Sequence, residues 1–78
     1  MSDPLELMVK FRRGVEESAA RQIAEAAGAT IRRRMRTDRP DEVMLLLRVK
    51  DLEATDQKLR GHADVELIEA NHGGYRPM

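Results

Sequence analysis

The sequence predicts an α+β domain in which one four-stranded antiparallel sheet carries two helices on a single face, in the chain order βαββαβ. Three observations predict it. Four segments alternate apolar and polar residues or are rich in strand formers. Two segments between them repeat apolar residues at helical spacing. Glycine, proline and acidic clusters punctuate the joins. Seventy-eight residues make one domain, 1–78, read as a core over 5–71 with a flexible C-terminal tail over 72–78.

Residues 5–12 place Leu5, Leu7, Val9 and Phe11 in alternation with Glu6, Met8, Lys10 and Arg12, the period of a half-buried strand. Pro4 precedes it and Gly14 marks its exit. Glu16 to Ala27 reads as a helix. Its acidic first turn suits the helix dipole, and Ala20, Ile23, Ala24 and Ala27 form a narrow apolar stripe. Small side chains on that stripe let the helix lie close to a sheet, and Gly28 supplies the left-handed residue that ends it.

Thr30 to Thr37 holds Arg32, Arg33, Arg34 and Arg36, with only Ile31 and Met35 as apolar members. It reads as a strand because its neighbour needs a partner. The turn cluster Asp38 to Glu42 separates it from Val43 to Lys50, where Val43, Leu45, Leu47 and Val49 share one face. Asp51 caps a second helix from Leu52 to Arg60, with Leu52, Thr55 and Leu59 inward, and Gly61 ends it. Val65 to Ala70 is the last strand. Right-handed crossovers through both helices then give the ferredoxin-like βαββαβ sandwich.

Such a sandwich leaves one sheet face bare. Leu5, Leu7, Val9, Phe11, Val43, Leu45, Leu47 and Val49 form the set that meets the helices. On the opposite face Met8, Met44 and Leu46 are apolar too, and Ile68 and Ala70 join them if Val65 and Leu67 point inward. An apolar cluster on an otherwise charged face suggests protein docking, and methionines suit an adaptable contact. The alternative is a scatter of single side chains shielded by the stems of Lys10, Arg32 and Arg34.

Composition narrows the function. A core of this size is thin, burying roughly 60–65% of the unfolded surface, and with no cysteine the fold is expected to rest on packing alone, or partly on a partner. The absence of cysteine also removes disulfides and thiolate chemistry without fixing the compartment. No apolar run approaches a membrane span. Met1-Ser2-Asp3-Pro4 opens too acidic for a signal peptide. Net charge is zero, which argues against nucleic acid, although residues 29–50 hold seven basic and three acidic groups while 51–78 hold three and six. A base-stacking platform is missing as well, since Phe11 is placed inward and Tyr75 lies in the tail. His62 and His72, ten residues apart on separate loops, are weak as a metal site, and Ser18 has no base paired with it. Neither cofactor nor metal is expected. Acylphosphatases share the topology, but the glycine-rich phosphate cradle that they place before their arginine is absent before Arg12. A small-molecule-binding or dimeric regulatory ferredoxin-like domain is the remaining alternative.

The order of motifs resembles subtilisin propeptides and the free-standing inhibitors related to them. Leu7 to Val15 (L-M-V-K-F-R-R-G-V), Glu25 to Met35, Val43 to Val49 and Leu59 to His72 (L-R-G-H-A-D-V-E-L-I-E-A-N-H) carry the likeness, the last being the most specific. The resemblance implies the βαββαβ sandwich, a binding role rather than catalysis, and a subtilisin-like serine protease as partner of a domain that is monomeric when free. It implies that Met8, Met44, Leu46 and Ile68 face the protease, and that Glu69 and Asn71 cap helix N-termini of the enzyme. It further implies that the tail lies in the substrate cleft by β-augmentation. Tyr75, Pro77 and Met78 then take the fourth, second and first subsites, with Arg76 between them. Within these 78 residues neither a protease domain nor a leader is expected, which departs from the family's pattern. An excised propeptide, a stand-alone inhibitor and a relative with another partner all fit that.

Overall fold

The computed structural model describes residues 5–71. Strand β1 spans Leu5–Phe11, helix α1 Glu17–Ala26, β2 Thr30–Met35, β3 Met44–Val49, α2 Leu52–Arg60 and β4 Val65–Asn71. They form one antiparallel sheet in the order β2-β3-β1-β4. This is the ferredoxin-like α+β arrangement that the sequence predicts.

Local chemistry sets the element ends. Gly28 takes a φ of +90°, a left-handed conformation that a side chain disfavours. Its N–H bonds to Glu25 O at 3.0 Å and the next N–H, of Ala29, reaches back to Ala24 O at 3.1 Å, the paired bonds of a Schellman ending. Asp51 accepts from the Ala54 N–H at 3.1 Å and so caps α2. Thr55, buried on α2, donates its hydroxyl to Ala27 O at 3.4 Å, which ties the second helix to the end of the first.

The core lies between the helices and one sheet face. Val9, Phe11, Leu45 and Leu47 are wholly excluded from water, as are Ala20 and Ala24 of α1. Leu7, Val49, Leu59, Val65, Ala27 and Ala29 complete the cluster. The alanine stripe works as expected: with so little side chain between them, the α1 backbone packs close to the sheet. Leu5, expected inward, is instead 44% exposed; it is the first residue of β1 and pairs with Val49 at the end of the sheet.

Both edge strands depart from simple alternation. In β4 the pairing runs Lys10 to Leu67 but Phe11 to Val65, so Glu66 is an extra residue and the parity changes there. Leu67 therefore stands beside Lys10 on the bare face, while Ile68 stands beside Val9 and packs against the core. The expected placement of Ile68 on the bare face is thus corrected. In β2 the shift lies between Ile31 and Arg33. Ile31 consequently packs on the core, and Arg34, expected to shield the bare face, turns to the helix side. There it donates to Glu17 of α1 at 2.9 Å and to Glu42 O at 3.3 Å.

Candidate docking face

The registers assemble the bare face in three rows that cross the sheet from β4 to β2. The first is Leu67, Lys10, Met44, Met35; the second is Glu69, Met8, Leu46, Arg33; the third is Asn71, Glu6, Arg48, Thr30. Met8, Met44 and Leu46, which the sequence singles out, come together at the centre. Two residues that the sequence reading missed extend the patch. Met35 pairs directly with Met44, and Leu67 is 47% exposed at the β4 edge. A signal for Leu67 was available, because it shares period-two parity with Glu69 and Asn71.

Leu46 is only 7% exposed although no helix covers it; Met8 and Arg33 flank it in its row. Met8, Met35 and Met44 are each half-buried. The apolar surface a partner can reach is therefore mostly thioether, with Leu67 at the rim. Unbranched methionines follow the contour of a partner at little steric cost.

Charge surrounds the patch in an ordered way. Arg32 donates to Glu6 at 2.5 Å, with the carboxylate largely buried. Lys10 pairs with the buried Glu42 at 3.4 Å. These pairs are closed within the domain, so covering the face strands no lone charge at either position. Across the face the β4 edge carries Glu66 and Glu69, and the β2 side carries Arg32, Arg33 and Arg48. Glu69 is exposed beside Met8, and Asn71 pairs with Glu6 in the register. Tyr75, Arg76, Pro77 and Met78 lie outside the described residues, as does His72.

Elsewhere, the groups that could suggest catalysis are engaged structurally. The Arg12 guanidinium donates to Ala63 O at 2.6 Å, and its backbone N–H to Asp64 O at 2.9 Å. Both bonds clamp the end of β1 to the loop before β4. His62 Nδ1 accepts the Asp64 N–H at 3.1 Å and closes a turn. On the helix side Glu17 is held by Arg21 and Arg34, and the Arg21 bond above all keeps its carboxyl below the usual carboxylate range. Asp41 is lowered in the same direction by its hydrogen bond from Arg13. No helix among the described residues is long and apolar enough to cross a membrane.

These features define a class: a small ferredoxin-like module that presents one sheet face, apolar at its centre and charged at its margin. The model of the fervidolysin N-terminal prodomain family matches residues 4–71, and the chain belongs to that family, a family of subtilisin-like protease prodomains. Domains of this family are regulatory and inhibitory rather than catalytic. A comparison with curated proteins returned no match.

Proposed function

We propose that this domain binds and inhibits a subtilisin-like serine protease, and assists its folding, by docking its bare sheet face on the enzyme and laying its C-terminal tail in the substrate cleft. The observation that carries the reading is the methionine-centred patch of Met8, Met35, Met44 and Leu46, on a face where Lys10 and Glu6 are already paired and the exposed Glu69, Arg33 and Arg48 stand at the margins. At its centre such a face gains from losing water and has little to lose electrostatically, while its marginal charges need partners or water. Glu69, exposed at one margin, together with Asn71 is suited to accept from orphan N–H groups at helix N-termini of the protease.

Beyond Asn71 the chain continues through Gly73-Gly74 to Tyr75-Arg76-Pro77-Met78. In this reading the glycines act as a hinge and the last four residues fill the cleft as a cleaved product does. Folding assistance follows from the same contacts, because a ligand that binds the native-like protease and not its unfolded chain shifts the folding equilibrium.

A progress curve of a subtilisin-type protease with the domain added tests this reading. Inhibition is expected to be strong at first and to fade as the domain is digested. Deleting residues 75–78 is expected to weaken it roughly tenfold or more, on the order of 1.4 kcal/mol. Unchanged potency after that deletion removes the tail from the mechanism. No inhibition by the intact chain removes the whole reading.

A further inference from the structure

Three of the five methionines of the chain meet on one side of the sheet. Met35 and Met44 are direct cross-strand partners, and Met8 lies in the adjacent row beside Leu46. All three keep part of their surface in water, whereas Leu46, the central aliphatic side chain, is nearly closed off by its neighbours. The chain has no cysteine, so these thioethers are its reachable oxidisable sulfurs among the described residues. Nothing in the fold depends on their being apolar from the helix side, since none belongs to the core cluster.

We infer that Met8, Met35 and Met44 form an oxidation site that controls docking: a peroxide converts them to sulfoxides and releases the partner without unfolding the domain. The inference rests on the docking reading above. In each step the sulfur lone pair attacks one oxygen of hydrogen peroxide, an S–O bond forms as the O–O bond breaks, and the other oxygen leaves as water by taking the proton of the transferred hydroxyl. Sulfur loses two electrons and the peroxide gains them. The product is a polar sulfinyl group in place of an apolar thioether.

On the free domain each new oxygen projects towards solvent and keeps its hydrogen bonds to water. In a docked complex the same oxygen is stripped of water against an apolar partner surface and is left without a donor. The sulfoxides therefore discriminate between free and bound states, which a core oxidation could not do. Two cations share these rows: Lys10 is already engaged by Glu42 and Arg33 stands exposed beside Leu46, so either reaches a buried sulfoxide only by giving up its carboxylate or its water.

The test treats the whole chain with hydrogen peroxide, removes the peroxide with catalase, and compares inhibition of a subtilisin-type protease before and after. Mass spectrometry counts the oxygens added, and far-UV circular dichroism follows the fold. The oxidised chain is expected to inhibit roughly tenfold or more weakly with an unchanged spectrum, and methionine sulfoxide reductases are expected to restore potency. For the variant M8L/M35L/M44L, which keeps Met1 and Met78, potency after treatment is read against that variant's own untreated potency. The fold-loss is expected to be much smaller than in the parent chain, the remainder coming from Met78 in the cleft. Full potency of the oxidised chain overturns the inference while leaving the docking reading in place. An equal loss in the triple variant, or loss of the folded spectrum on oxidation, overturns it as well. No inhibition by the untreated chain overturns the docking reading and this inference together.

Discussion

On the helix side of the sheet, Val9, Phe11, Leu45 and Leu47 are cut off from water by Ala20, Ala24 and Leu59. One residue along the same two strands, Met8, Lys10, Met44 and Leu46 form the other side, where half-buried methionines sit among ion pairs. The covered side uses aliphatic and aromatic shapes that interlock, and its volume is fixed by the alanines above it. The bare side uses flexible side chains, closes Lys10 and Glu6 into pairs within the domain, and keeps Glu69, Arg33 and Arg48 exposed at its margin. The difference teaches that one set of strands can carry stability on one parity and recognition on the other, so that the two can be altered separately.

Substitutions on the two sides should therefore have opposite signatures. Phe11→Ala empties the largest fully buried side chain and is expected to cost about 3–5 kcal/mol. In a domain this small that is enough to unfold most of the free chain, and far-UV circular dichroism checks it. Met44→Glu on the bare side is expected to leave the urea midpoint nearly unchanged. It should weaken inhibition about a hundredfold, on the order of 3 kcal/mol, because a carboxylate enters the middle of the docked surface. A large loss of stability in that variant would blur the distinction between the sides.

Smaller effects sharpen the covered side. Gly28→Ala forces a Cβ into a left-handed position with no steric neighbour within 4 Å. The cost is therefore conformational, about 1–2 kcal/mol, read as a lower melting temperature with inhibition retained wherever the domain is folded. Acid should act more weakly still. Glu17 and Asp41 are held below the usual carboxylate range by Arg21 and Arg34, and by Arg13. Their contribution is fully present above the unfolded value, about pH 4, and is lost as pH falls through the lower folded values. Thermal melts should show a slight fall in that window, reduced in Glu17→Gln, which leaves the share of Asp41.

How much of this was legible in the sequence depends on where a strand sits. β1 and β3 are paired on both sides, and their alternation gave the covered set and the Met8, Met44 and Leu46 cluster directly. Helix limits were legible for a chemical reason: Gly28 and Asp51 are end signals whose geometry is local. The edge strands were harder. Each carries a one-residue register shift, at Glu66 and near Arg32, and a shift is decided by the partner strand rather than by the composition of its own. It moved Ile68 and Arg34 to the helix side and brought Leu67 and Met35 to the other. The arginines of β2 also hid a division of labour, since Arg32 closes on Glu6 of the sheet face while Arg34 reaches across to α1.

The central claim is that the bare parity of the sheet is kept for another protein. The most direct measurement is the methyl NMR spectrum of the methionines, recorded for the free domain and for its mixture with a catalytically inactive subtilisin-type protease. The resonances of Met8, Met35 and Met44 are predicted to shift together on binding, while methyls of Val9, Leu45 and Leu47 hold their free positions. A complex that forms with those three methionine signals unmoved would contradict the account.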